Sequence, residues 1–228
     1  MAMSNADVDL TLGADGAEYW PGAASPHLLV IEAAIADQPS DQAGIRITGI
    51  SALSDLLGAE GPIGALVAHR LGAATRPVRL ILLDKSPAIN WALGWHQDRT
   101  IVVRDRRDVA GFGPWTVKSG RLHVGPPVDL LERMITIRIH LDPVPAGNAP
   151  LLIAPGSHRL GRVPESGIGD AVARLGVRAC LAEVGDIWVY STPILHASDA
   201  AREPRRRRVL QVDYAAEQLP GGLEWLGI

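Results

Sequence analysis

Cysteine, aromatic residues, surplus charge and long apolar runs are all scarce in this chain, and each shortage removes a class of protein. A single cysteine, Cys180, among 228 residues cannot form an intrachain disulfide and leaves no Cys-x-x-Cys pair for zinc or thiol exchange. A reducing, cytoplasmic setting is the expectation. The longest apolar stretches, such as Leu80 to Leu83, fall far short of the roughly 20 residues that cross a bilayer. The first twenty residues lack both the basic and the apolar segment of a secretory signal. No membrane partner is expected.

The formal net charge is −3 and aromatics make up 4% of the chain, so no overall field draws in nucleic acid. The run Arg205 to Arg208 is basic but has no aromatic beside it on which a base could stack. No nucleic-acid partner is expected, and by itself the run reads as a solvated charge patch. The sequence leaves the oligomeric state open.

What is present is a 47% hydrophobic composition, enough to bury a core in one domain spanning residues 1–228. Residues 1–75 read as a mainly helical front section. Apolar spacings of three and four over Ile50 to Leu57 and Ile63 to Leu71 suit two short helices, separated by the Gly58 to Pro62 stretch. From Arg76 the texture changes to short β-type runs broken by Gly, Pro, Asp and Asn: Val78 to Leu83, Arg99 to Arg104, Met134 to Leu141, Leu151 to Ala154, Ile187 to Tyr190 and Val209 to Tyr214. This is an all-β core with flanking helices, a sandwich or barrel over residues 76–215.

In the run Ile135 to Asp142, Thr136, Arg138 and His140 alternate with Ile135, Ile137, Ile139 and Leu141. The polar face either lines a cavity or, on an edge strand, meets water. The segment Val102 to Asp129 is rich in Gly and Pro and reads as a long loop or loose hairpin. Its Phe112 and Trp115, with Arg104, Arg106, Arg107, Lys118 and Arg121, are expected over the mouth of the barrel, where they would favour an anionic substrate. The bland alternative is a soluble exposed loop or a subunit contact.

The chemistry concentrates in Trp95-His96-Gln97-Asp98 and, further along, Leu195-His196-Ala197-Ser198. In a strand, residues i and i+2 share a side, so His96 and Asp98 can reach one ion. Two imidazoles and a carboxylate occupy one face of an octahedral iron(II) and leave open positions. Gly185-Asp186 followed by Ile187 to Tyr190 reads as a turn and strand delivering His196. Arg207 then enters the strand Val209 to Tyr214, where a guanidinium fork suits a carboxylate.

These pieces resemble the phytanoyl-CoA dioxygenase family of 2-oxoglutarate-dependent oxygenases. The matching motifs run in the family's order over about residues 76 to 215: Lys85-Ser86-Pro87, Trp95-His96-Gln97-Asp98, Leu141-Asp142, Asn148 to Leu151, Pro155-Gly156-Ser157-His158, and His196-x-Ser198 followed by Arg207. The resemblance implies a double-stranded β-helix, a cupin-like jelly-roll barrel. It implies Fe(II) held by His96, Asp98 and His196, and 2-oxoglutarate held by Arg207 with help from Ser198. Arg208 is the alternative to Arg207. Lys85 falls where the family places a co-substrate contact, with a surface lysine as the other reading. Arg138 departs from the family's aromatic and would meet 2-oxoglutarate or an anionic substrate. His140 and His158 read as structural, and Trp91 and Trp95 as core or pocket wall. The implied activity is hydroxylation of an unactivated C–H in a small, anionic metabolite, with O2 consumed and succinate and CO2 released. Asp98 argues against halogenation, since halogenating relatives replace that ligand with a small residue. The rival is a non-catalytic jelly-roll that binds a metal or small molecule.

Overall fold

The computed structural model describes residues 10–39 and 42–228. Thirteen strands are named in chain order: β1 (Ala17–Trp20), β2 (Gly44–Arg46), β3 (Arg76–Lys85), β4 (Leu93–His96), β5 (Ile101–Val103), β6 (Trp115–Lys118), β7 (Arg121–Val124), β8 (Ile135–His140), β9 (Leu151–Ile153), β10 (Arg178–Cys180), β11 (Ile187–Ser191), β12 (His196–Ser198) and β13 (Arg207–Ala215). They form a six-stranded sheet ordered β1-β11-β8-β13-β3-β2, a four-stranded sheet ordered β10-β9-β12-β4, and a three-stranded sheet ordered β5-β7-β6. All recorded pairings are antiparallel.

Period-two alternation divides the large sheet into two faces. Ile135, Ile137 and Ile139 of β8, Ile187 and Val189 of β11, Leu80 and Leu82 of β3, and Leu210 and Val212 of β13 pack into one core. The helices α1 (Leu12–Asp15), α2 (Leu28–Ile35), α3 (Ser51–Leu57) and α4 (Gly64–Leu71) precede β3 in the chain. Of these, α2 to α4 send Ile31, Ile35, Leu53, Leu56, Leu57 and Val67 to the same core. Burying each such side chain contributes about 1.5–3 kcal/mol. α4 can come this close to the turn after α3 because it begins on Gly64, where a Cβ would overlap the carbonyl of Gly58. On the opposite face Trp188 and Tyr190 meet Leu151 and Ile153 of the small sheet. Thr136, Arg138 and His140, on the same face, are buried as well.

β8 is flanked by β11 and β13, and every residue of it is buried. The edge-strand reading of its polar face is therefore wrong, because both hydrogen-bonding edges of the strand are taken. Gly185 opens β11 with φ +89, and a Cβ there would strike Ser25. The next residue, Asp186, ties the turn by accepting from the backbone N–H groups of Gly22 (2.7 Å) and Glu183 (2.6 Å).

Residues 102–129 are more ordered than their composition suggests. β6 and β7 form a hairpin whose inner strand pairs with β5, followed by helix α5 (Val128–Glu132). Phe112 and Trp115 pack against a core that contains Val103, Val124 and Trp225. They do not cover the barrel mouth, because Trp225 and its neighbours, near the end of the chain, supply an apolar partner that local reading could not foresee. The front section also departs from its helical texture, supplying the two edge strands β1 and β2. The sixth helix, α6 (Ile168–Leu175), packs Ile168 and Ala171 with Leu195 beside the metal strand.

Candidate metal centre and anion pocket

His96 ends β4 and His196 begins β12, and the two are direct Cα partners across the small sheet. Their rings lie 4.2 Å apart between centroids. With Asp98 they form a group whose potential ligand atoms all lie within 4.8 Å of one another. The residues fit a metal ion. His96 Nδ1 faces the carbonyl of Gly94 at 2.8 Å and His196 Nδ1 that of Ile194 at 2.9 Å. A carbonyl only accepts, so each Nδ1 carries the proton and each Nε2 lone pair is free to ligate. Burial, opposed by Asp98 and reinforced by His96, pushes His196 down to about 4. The lowered pKa favours the neutral, ligating form.

Asp98 is held in turn. Arg79 Nη2 donates to it across 3.1 Å. Arg79 Nε is bonded to Asp213, its Cα partner between β3 and β13. Asp213 also accepts from Thr136 at 3.0 Å. Burial alone would raise the Asp98 pKa, but Arg79, His196 and His96 together hold it below the ordinary carboxylate value. Between the ligands, Gln97 points the other way and locks the segment. It donates to the carbonyls of Gly161 (2.9 Å) and Pro193 (2.8 Å) and accepts from Val163 N–H (2.9 Å).

Beyond the triad, the inner face of the large sheet carries three cations. Lys85 and Arg207 are Cα partners on β3 and β13, and Arg138 lies on β8 opposite Gln211. All three are at most 5% exposed, so Lys85 is not a surface lysine. Lys85 donates to Ser198 Oγ (3.0 Å) and to the Asp199 carbonyl (2.7 Å), and its ammonium lies 4.4 Å from the Trp91 ring centre. Arg207 donates to the carbonyl of Ala149, while its Nε and Nη2 have no partner. Among the described residues no carboxylate pairs with Lys85, Arg138 or Arg207. Burial first, then Arg207 and Arg138, push Lys85 down to about 7. Burial and Arg138 push Arg207 down to about 9, which leaves it charged at neutral pH. Arg208, one residue on, points to the other face and pairs with Asp142 (2.8 Å) and Glu32 (2.5 Å). Of the two neighbours, Arg207 is the inward one.

A cavity of about 370 Å³ connects the triad to solvent. Arg46, Arg79, Arg99, Lys118 and Arg138 line it, against one carboxylate, Asp98. Of the basic residues foreseen over the mouth only Lys118 lines it. Arg104 pairs with Glu224 and Arg106 with Asp108, and Arg121 donates to Thr48. Trp91 belongs to the cavity wall and Trp95 to the packing around α6. His140 is buried with neither ring nitrogen hydrogen-bonded. His158 lies apart from the triad, against Gly16. Sequence reading missed Arg79, Asp213, Arg46 and His123. For the first two a signal exists: Arg79 interrupts an apolar strand, and Asp213 shares the parity of Arg207.

An antiparallel jelly-roll barrel with two imidazoles and a carboxylate at its open end defines the class of mononuclear non-haem metal proteins that includes the iron oxygenases. The sequence profile of the phytanoyl-CoA dioxygenase family matches residues 62–209. The chain belongs to that family. Among curated proteins none matches the sequence. The fold is similar to that of EctD from S. alaskensis, at 15% identity and TM-score 0.61 over 94% of this chain and 80% of the other. It is also similar to HygX from Streptomyces hygroscopicus, solved with nickel and 2-oxoglutarate bound, at 13% identity and TM-score 0.57 over 90% and 84%. SnoN, an α-ketoglutarate-dependent non-haem epimerase of nogalamycin biosynthesis, matches at 15% identity and TM-score 0.60 over 92% and 87%. No helix among the described residues is long and apolar enough to cross a membrane.

Proposed function

We propose that the chain is an Fe(II)- and 2-oxoglutarate-dependent oxygenase that hydroxylates an unactivated C–H of a small anionic metabolite and releases succinate and CO2. His96 Nε2, His196 Nε2 and an Asp98 oxygen hold the iron. Arg207 takes the distal carboxylate of 2-oxoglutarate, and Ser198, Lys85 and Arg138 complete the pocket. The observation that carries this reading is the set of three buried cations without a carboxylate partner, next to a ligand set made for one metal ion. Buried charge of one sign is costly unless a ligand neutralises it, and a dicarboxylate does so here. The bound iron and co-substrate supply the oxidising chemistry. The protein's part is to orient: Arg79 fixes Asp98, Gln97 fixes the strand that carries His96, and backbone carbonyls fix both imidazoles.

The cation excess along the cavity favours a substrate with negative charge. The test is anaerobic addition of Fe(II) and then 2-oxoglutarate, watching for the weak visible charge-transfer band of a chelated keto acid. Asp98→Ala should diminish it strongly. A folded, metal-loaded wild-type protein without the band would overturn the co-substrate assignment. Succinate release in the presence of candidate substrates then reads turnover, and product analysis separates hydroxylation from epimerisation.

A further inference from the structure

The cavity wall carries a second group of polar side chains that the proposed metal and co-substrate sites do not use. Arg46 comes from β2, Lys118 from the end of β6 and His123 from β7, and all three line the cavity. Two hydrogen bonds clasp these elements together: Arg46 Nη1 to Ser119 Oγ at 2.9 Å, and Arg121 Nη2 to Thr48 Oγ1 at 3.2 Å. Arg46 Nε remains buried without a partner. Among the described residues no carboxylate pairs with Arg46 or Lys118, whereas two other cavity cations are occupied: Arg79 by Asp98 and Asp213, and Arg99 by the Val163 carbonyl.

His123 is fully buried, and its Nε2 has no partner. Its Nδ1 faces the carbonyl of Arg121 at 2.9 Å, so Nδ1 carries the proton. Burial, opposed by the bond to the Arg121 carbonyl and reinforced by the charges of Arg79, Arg46 and Lys118, lowers the ring's pKa. Nε2 therefore presents a lone pair and accepts a hydrogen bond. The same cations disfavour an ammonium as the donor, which leaves a hydroxyl or an amide N–H.

From this geometry we propose a substrate subsite: Arg46 and Lys118 hold a carboxylate or phosphate, and His123 Nε2 accepts a hydrogen bond from a neutral hydroxyl or amide N–H carried beside it. The substrate class is then a small acid bearing an uncharged donor, such as a hydroxy acid or its phosphate counterpart. The subsite rests on the oxygenase reading only for its name as a substrate site.

The test follows the His123 ring by NMR in the full-length protein, first alone and then with zinc and 2-oxoglutarate filling the inner site. The probes are glycolate against acetate, 3-hydroxybutyrate against butyrate, and inorganic phosphate. Saturable shifts of the His123 signals are expected, with a hydroxy acid bound more tightly than its parent acid. Stronger binding of phosphate than of either carboxylate would assign the anion as a phosphate. Arg46→Met and Lys118→Met should each weaken binding by about tenfold, the equivalent of about 1.4 kcal/mol. His123→Phe should abolish the preference for the hydroxyl while the parent acid still binds. Arg104→Met, altering an exposed cation paired with Glu224, should change nothing. No saturable shift in the wild type, no preference for the hydroxyl, or equal weakening by Arg104→Met would overturn the proposal. The charge-transfer band separates the two readings. A band without His123 shifts sinks the subsite alone, and shifts without a band sink the oxygenase reading alone.

Discussion

Arg79 donates to Asp98 across 3.1 Å while its other side is held by Asp213, so one guanidinium joins a metal-side carboxylate to the centre of the large sheet. Asp213 is buried, and burial together with Asp98 raises its pKa despite Arg79. Removing the arginine strands both carboxylates.

Arg79→Met is expected to weaken metal binding by about 10- to 100-fold, the usual effect of losing a partner that orients a ligand. It should also cost about 3–5 kcal/mol of stability, because a buried charge loses its counter-charge. Adding Asp213→Asn should recover most of the stability and little of the metal affinity. Urea unfolding and anaerobic metal titration measure the two separately. Recovery of both by the double variant would show that Arg79 acts through the fold alone.

Replacement of Arg207 by Met should raise the 2-oxoglutarate requirement by about 2–5 kcal/mol equivalent and leave iron affinity nearly intact. The adjacent Arg208→Met should leave the requirement unchanged. It should lower stability by about 1.5–3 kcal/mol, through lost charge-assisted bonds to Asp142 and Glu32. Titrations of the charge-transfer band and denaturant melts distinguish them. A larger co-substrate effect at Arg208 would mean that the strand presents the other face.

Lys85 gives the site a pH dependence. Burial, Arg207 and Arg138 lower its pKa to about 7 from an ordinary 10.5, with Asp199 opposing. Between those values the unfolded chain binds more protons than the folded one, so the ligand-free protein should gain stability as pH rises through this window. A bound dicarboxylate pulls the other way by restoring the charged lysine. Binding of 2-oxoglutarate should therefore take up a proton near pH 8 and weaken as pH rises from 7 to 9. Calorimetry in buffers of different ionisation heat reads this uptake. Lys85→Met should abolish it, and an unchanged uptake in that variant would refute the assignment.

Cys180 lies on β10 at 1% exposure, and burial pushes its thiol well above the ordinary value. The native protein should resist thiol reagents, with modification following global unfolding in urea. Rapid labelling without denaturant would show that the small sheet opens locally.

Much of this was legible in the sequence wherever alternation was long. β8 and β13 each carry enough apolar and polar residues to reveal two faces, and the ligand spacing of His96 and Asp98 follows from a strand's period. Alternation says which residues share a face but not which face looks inward. The choice between Arg207 and Arg208 therefore needed Asp142 and Glu32, which sit 66 and 176 residues away from Arg208. Three-residue strands such as β2, β10 and β12 are too short to show any period. The grouping of Arg46 with Lys118 and His123 joins segments over 70 residues apart in the chain, as the separation of 73 between Arg46 and Ser119 records. No local pattern marks it, and the Gly- and Pro-rich texture around residue 113 hid the hairpin that builds it.

β13 works as a reading frame. From Arg207 to Asp213 its inward positions set, in order, a buried cation, an apolar spacer, the neighbour of Arg138 and the anchor of Arg79, while Leu210 and Val212 face outward into the helix-side core. Inserting or deleting one residue inside this stretch would exchange all of these roles at once. Length variation can be absorbed only outside this stretch, so within the strand this enzyme can diversify by substitution alone.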